Sequence, residues 1–140
     1  MLGRSQVDIL KRINKQQGGF QDGLSCMMTS VLIREAVPFA NENSSKLYVA
    51  FMDGKKAFDV LIHGGLLYKL VNECNLDPTT ILVYRAMYTG ITSCVRYQGK
   101  LSRWFSVRQG IRQGGKSSPI LYLLYINELI NTIEGSEYGL

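Results

Sequence analysis

Two features of this chain have residue types suited to chemistry. One is an acid closing an apolar run, and the other is a long stretch of positive charge with no acid in it. Asp53-Gly54 ends Lys46-Leu47-Tyr48-Val49-Ala50-Phe51-Met52, a segment apolar on both alternating faces, as a strand in the middle of a covered sheet reads. An acid where a buried strand emerges is costly unless something there wants negative charge. Asp53 is therefore the first functional candidate, with a strand-end turn aspartate as the alternative. From Pro78 through Asn127 no acidic residue occurs, while Arg85, Arg96, Lys100, Arg103, Arg108, Arg112 and Lys116 all fall inside that stretch. A one-sided field of this kind attracts phosphate polymers through counterion release, and Tyr97, Trp104 and Phe105 offer flat faces on which bases could stack. On charge alone, a solvated basic face with aromatics in the core fits equally well.

The elements that must position these residues can be read from pattern and punctuation. With 140 residues, 46% hydrophobic and 19% charged, the chain is a globular unit with a net charge of +5, and no linker composition divides it. No apolar run approaches the ~18 residues of a membrane span, so a soluble protein without membrane contact is expected. Cys26, Cys74 and Cys94 match neither a disulfide framework nor a metal site; they read as small buried residues in a reducing compartment. An amphipathic basic stretch (Val7, Leu10, Ile13) leads to a glycine-marked loop from Gln16 to Gly23. Leu24, Met27, Met28, Val31 and Leu32 then recur at helical spacing until Pro38 and the polar run Asn41 to Ser45. After the strand, helices are expected over Val60 to Cys74 and over Pro78 to Tyr88, the second with Asp77 as cap and Gly90 as stop. Thr92 to Gln98 and Leu101 to Arg108 read as a hairpin about a Gly99-Lys100 turn. Ser118-Pro119 open a long apolar helix through Ile133. The order is α, β, α, α, β-hairpin, α: an α+β arrangement with helices packed on a small antiparallel sheet.

Asp53-Gly54-Lys55-Lys56-Ala57-Phe58-Asp59 is followed by the loop Gln109-Gly110-Ile111-Arg112-Gln113-Gly114-Gly115-Lys116-Ser117-Ser118-Pro119, whose Gln113 lies sixty residues beyond Asp53. A strand ending F-x-D-x-x-K-A-F-D, then G-x-R-Q-G-x-x-x-S-P opening a helix, resembles the reverse transcriptase domain of non-LTR (LINE-type) retrotransposons. The likeness extends to Gln17–Cys26, similar to the family's Q-x-G-F-x-x-G-x-S element, and to the Leu66-Leu67-x-x-Leu70 helix. It implies partial fingers and palm of a right-hand polymerase over residues 1–140. It also implies RNA-directed DNA polymerase chemistry, with an RNA template, a DNA primer and deoxynucleoside triphosphates as partners.

By that resemblance Asp53 is a catalytic carboxylate and, with the Gly54 carbonyl, a ligand of two ions, Mg2+ or Mn2+, that carry out nucleotidyl transfer. Phe58 matches the aromatic gate beneath the incoming sugar, Gln113 the glutamine at the nucleotide, and Gly114 with Gly115 a close backbone approach to substrate. Arg112, Lys116, Arg103 and Arg96 fall to nucleic-acid contact, with solvated loop charge the plain alternative for the first two. Asp59 reads as a helix cap rather than a ligand, and His63 as a structural hydrogen bond. The family's G-D-P-x-S-P is replaced here by Gly114-Gly115-Lys116-Ser117-Ser118-Pro119, and its later Y/F-A-D-D turn has no counterpart, since the last aspartate is Asp77. The chain is accordingly expected to stop short of that turn and, with Asp53 alone, to be inactive by itself. A second reading stays open, a non-catalytic nucleic-acid-binding relic or domesticated segment. An in-frame Y/F-A-D-D downstream of Leu140 would favour the enzyme and a stop codon the relic.

Overall fold

Asp77 and Pro78 start a helix as their chemistry requires. The Asp77 carboxylate accepts from the Thr80 amide at 2.9 Å, and Pro78 fills a first-turn position whose N–H would have no partner. The computed structural model describes residues 2–136, with helices α1 (Leu2–Leu10), α2 (Cys26–Glu42), α3 (His63–Asn72), α4 (Pro78–Tyr88) and α5 (Ser118–Glu134). Between α4 and α5 lie β1 (Thr92–Ser93), β2 (Arg96–Tyr97), β3 (Lys100–Leu101) and β4 (Phe105–Ser106). β1 pairs with β4 and β2 with β3, both antiparallel, so the strands form one nested hairpin.

The core lies among α1, α3, α4 and α5. Ile9, Leu61, Leu66, Leu70, Tyr84, Leu121, Leu123 and Leu124 are fully enclosed, and each aliphatic side chain removed from water contributes about 1.5–3 kcal/mol. Two polar ties fix the packing. Asn127 of α5, itself buried, accepts from the Asn14 amide at 2.7 Å and donates to the Arg12 carbonyl at 3.0 Å, closing the end of α1. Lys69 of α3 reaches Glu73 at 3.0 Å and Glu128 of α5 at 3.1 Å; burial disfavours its charge, but the two carboxylates outweigh that and raise its pKa.

The α+β content matches the sequence reading, and so does the order of two helices, hairpin and helix after residue 60; before it a helix α1 stands and the expected strand does not form, and the differences have physical causes. The helices pack chiefly on one another rather than on a sheet, because the strands are short and stand out as a ribbon. Residues 46–52, expected as a covered central strand, have no ladder partner, and Tyr48 and Phe51 are 85% and 82% exposed. Apolar character on both faces makes a buried strand only where neighbouring strands supply hydrogen bonds, and none among the described residues does. α2 ends at Glu42, inside the polar run expected to stop it, but runs through Pro38, since a proline removes one amide donor without ending a helix whose next turn is satisfied. α3 begins at His63 rather than Val60, because Gly54 to Val60 close into tight turns first. There the Ala57 amide donates to the Gly54 carbonyl at 3.1 Å and the Asp59 amide to Lys56 at 2.8 Å. The hairpin turn is Gln98-Gly99, one residue earlier than expected: φ is 46° and 75° at these positions, the paired positive values of a type I′ turn.

Candidate nucleotide-binding cleft

The two motif segments are joined by backbone hydrogen bonds. The Ile111 amide donates to the Phe58 carbonyl at 2.8 Å, the Gly110 amide to Leu61 at 2.7 Å, and the His63 amide to Arg108 at 3.2 Å. Ile62 and Gln109 form an antiparallel bridge within this stretch. Gly110 has φ +94°, and a Cβ there would lie 3.4 Å from the Asp59 carbonyl oxygen, so this crossing requires glycine. His63, 5% exposed, adds a side-chain clasp, with Nε2 donating to the Gly110 carbonyl at 2.7 Å and the ring set edge-on to Tyr88 at 5.1 Å. Its Nδ1 is buried without a partner.

This junction opens a cleft of about 480 Å3 lined by Phe58, Ile111, Arg112, Gln113, Gly114, Gly115, Lys116, Ser118 and Pro119. Its size and apolar floor with a few polar groups suit a small organic ligand. Phe58 is the floor's anchor. Tyr122 of α5 lies 4.9 Å from it between ring centroids and Phe20, from the Gln17–Cys26 loop, 6.1 Å away edge-on, so that loop and α5 meet at one ring. On the other wall the Ser118 hydroxyl donates to the Arg112 carbonyl at 2.7 Å and closes the loop onto the start of α5. Gly114 has φ +81°, and a Cβ on Gly115 would meet Ser118 Oγ at 2.8 Å, so both glycines are demanded by the turn.

Phe58, Gln113, Gly114, Arg112 and Lys116 thus share one cleft. Arg112 is half committed, one Nη donating to the Met87 carbonyl at 3.3 Å at the end of α4, where the helix dipole favours a cation. Gln113 also lines a second recess of about 580 Å3 behind the loop, with Asp59, His63 and Tyr88. The Tyr88 hydroxyl has its pKa raised by burial, against the opposing Arg112 charge. Asp59 does not cap α3: that helix starts four residues later with Ile62 at its cap, because the turns of 54–60 intervene. Arg96 and Arg103 are carried on the hairpin, exposed and outside the cleft.

Asp53 is exposed and enters no hydrogen bond or ion pair among the described residues. Its neighbour Gly54 packs on Tyr122, whose hydroxyl would lie 3.3 Å from a Cβ placed there, and Tyr122 in turn leans on Phe58. The acid is therefore one residue from a glycine that meets the ring packed on Phe58. Among the described residues no group of three or more His, Cys, Asp and Glu side chains is placed to hold a metal. A single carboxylate supplies too little charge and too few ligands for two divalent ions, so these residues alone do not fit such a site. Tyr122 is the site residue that sequence reasoning missed. It lies inside an apolar helical repeat, where a hydroxyl-bearing ring among leucines was the only signal.

A family profile described as Reverse transcriptase (RNA-dependent DNA polymerase) matches residues 3–138. The chain is similar to the Retrovirus-related Pol polyprotein from type-2 retrotransposable element R2DM of Drosophila melanogaster, 26% identical over 124 residues, covering 89% of this chain and 12% of that protein. It is 22% identical over 132 residues to the corresponding type-1 element R2 polyprotein of Popillia japonica, covering 94% of this chain and 18% of that one. With the RNA-directed DNA polymerase from mobile element jockey of Drosophila melanogaster it shares 32% identity over 127 residues, 87% of this chain and 13% of that protein. The chain thus spans 12% to 18% of the length of these relatives. No solved structure matches significantly.

Proposed function

The chain belongs to the reverse transcriptase family, of the non-LTR kind, and from that premise we propose that it is a segment of an RNA-directed DNA polymerase whose nucleotide pocket is the Phe58–Gln113 cleft. The observation that carries this reading is the backbone ladder that brings residues 58–63 against 108–111, because it makes one cleft of two segments distant in sequence. In this reading residues 1–140 contribute the fingers edge and part of the palm. Phe58 is the floor under the incoming sugar, where a rigid ring excludes a ribose hydroxyl. Gln113 and Gly114 meet the nucleotide, and Arg112 and Lys116 meet phosphates. Arg96 and Arg103 on the hairpin contact template or primer. The family's divalent ions, two of Mg2+ or Mn2+ in the complete enzyme, would draw on Asp53 and the Gly54 carbonyl together with carboxylates beyond those described here.

The test is a chimaera in which residues 3–138 replace the matching segment of an active polymerase of the family, assayed by primer extension on an RNA template. The chimaera is expected to extend primers, and Asp53→Asn to reduce extension by about a thousandfold or more, the scale of removing a group essential to the chemical step. Full activity in the Asp53→Asn chimaera would refute the assignment. The 140-residue chain assayed alone is expected to show no magnesium-dependent extension.

A further inference from the structure

Residues 92–106 form a ribbon whose register does not run evenly from root to tip. Ser93 faces Phe105 and Arg96 faces Leu101, so Cys94 and Val95 on one strand oppose Ser102, Arg103 and Trp104 on the other. Two residues against three is a β-bulge, a device that re-aims a side chain. It is pinned at Ser102: the Ser102 amide donates to the Val95 carbonyl at 2.9 Å, its hydroxyl accepts from the Val95 amide at 2.9 Å, and the same hydroxyl donates to the Arg103 carbonyl at 2.9 Å. The bulge opens a recess of about 470 Å3 bounded by Val95, Ser102, Arg103, Trp104 and Phe105. Trp104 is 67% exposed and Tyr97, near the tip, 72%.

We infer that this bulge is a stacking platform for single-stranded nucleic acid, with Trp104 and Phe105 receiving an unpaired base and Arg103 its phosphate. The inference rests on the proposed contact of Arg96 and Arg103 with template or primer and deepens it, and it concerns a surface separate from the Phe58 cleft. Three observations favour this occupant over an apolar partner. No acidic residue lies between Pro78 and Asn127, so the ribbon itself carries no charge that repels a phosphate chain. Arg96, Lys100 and Arg103 alternate with Tyr97, Leu101 and Trp104, the combination of backbone-tracking charge and flat faces that binds single strands without reading sequence. Trp104 and Phe105 bound the recess while staying exposed, so their ring faces are open to an unpaired base, which a base held inside a stacked duplex cannot offer.

Trp104 is the only tryptophan in the chain, so its fluorescence reports the site directly. The 140-residue protein is titrated with fluorescein-labelled oligonucleotides of about fifteen nucleotides, within the usual site size of such platforms: single-stranded RNA, single-stranded DNA, and a duplex of the same sequence. Tryptophan quenching and probe anisotropy are followed together at several salt concentrations. Both single strands are expected to quench Trp104 and protect it from acrylamide, the duplex to do neither, and affinity to fall steeply with salt. Trp104→Ala should weaken binding about tenfold, with most of the loss restored by Trp104→Phe, while far-ultraviolet circular dichroism stays unchanged because the side chain is exposed. If one single strand alone quenches, the platform belongs to that strand type. Absence of quenching and of acrylamide protection on the unaltered protein would overturn the inference, as would equal quenching by duplex or undiminished affinity after Trp104→Ala. None of these results bears on extension by the chimaera.

Discussion

Replacing His63 by alanine removes the side-chain clasp between the two motif segments, and the structure allows its cost to be worked out. The ring is 5% exposed and its Nε2 bonds the Gly110 carbonyl at 2.7 Å. Losing that bond leaves a partly enclosed carbonyl unsatisfied, at roughly 1–3 kcal/mol. Emptying the ring's volume beside Tyr88 adds about 2–3 kcal/mol, somewhat under the usual aromatic-to-alanine penalty because the imidazole is smaller. Against these stands the relief of Nδ1, already buried without a partner, which returns about 1–2 kcal/mol. The net loss is about 3 kcal/mol, or roughly a 10 °C fall in Tm for a chain of this length. Urea denaturation measures the global term. Amide exchange measures the local one: the Gly110 and Ile111 amides, bonded to Leu61 and Phe58, should lose protection beyond the global change, while those of α4 should not. His63→Gln, which keeps a donor of similar reach, should recover part of the local protection. A loss below about 1 kcal/mol, or equal loss of protection at the junction and in α4, would refute the view that this ring holds the two segments together.

The three thiols should separate cleanly: Cys26, exposed, reacts first with a thiol reagent, Cys94 more slowly, and Cys74 only on unfolding. Burial pushes the Cys74 thiol up from 9.0 to about 11, helped by the nearby Glu73 charge, so the folded chain holds that proton longer than the unfolded one. Its contribution to stability is complete below pH 9 and lost as pH rises toward 11, and Cys74→Ala should flatten that alkaline fall in a urea series. Asp77 behaves oppositely. Bonds from the Thr80 hydroxyl and amide hold its carboxyl below the usual 3.8, so the cap's stabilisation is present above that value and disappears as pH falls through the lowered one. Asp77→Asn should remove that acid limb from the thermal melt. In the chimaera, Phe58→Ala should reduce the preference for deoxynucleotides over ribonucleotides by about 10–100-fold, read as a ratio of kcat/KM values so that general weakening cancels. An unchanged ratio would remove Phe58 from sugar selection.

What was legible in the sequence was whatever local chemistry decides. Asp77-Pro78 and Ser118-Pro119 mark helix starts within a few bonds of themselves, and both helices stand where those residues put them. The hairpin was legible as a hairpin, but its turn was misread by one residue. Gly99 can serve as either central position, and only the pairing of Tyr97 with Lys100 selects Gln98-Gly99. Phe58 and Gln113 were brought out by the resemblance, since they stand in strings like the family's, and Asp53, outside the cleft, also as the acid that closes an apolar run. Tyr122 could not be found that way, because its role follows from Gly54 packing against α5, a tertiary fact with no string of its own.

Residues 46–52 show what hydrophobic alternation cannot supply by itself. Alternation and run length describe the environment a segment is suited to, and Tyr48, Val49, Phe51 and Met52 are suited to cover on both faces and ladder partners on both edges. Here Tyr48, Phe51 and Met52 are each more than 70% exposed. Leaving such a segment in water costs the burial energy of several large side chains, on the order of 1.5–3 kcal/mol for each, and leaves its amides to solvent. The turns just beyond it, by contrast, find partners among the described residues: Ala57 bonds to Gly54 and Asp59 to Lys56 locally, and Ile111 to Phe58 across the junction. The Phe58 cleft is therefore a self-sufficient part of this chain, while the placement of Asp53 depends on whatever pairs with the segment before it. A probe that reads the two separately will show this: Phe58-side amides should be protected in the 140-residue chain and those of residues 48–52 should exchange freely. Equal protection in both would mean that the segment is paired and that the carboxylate is already held in place.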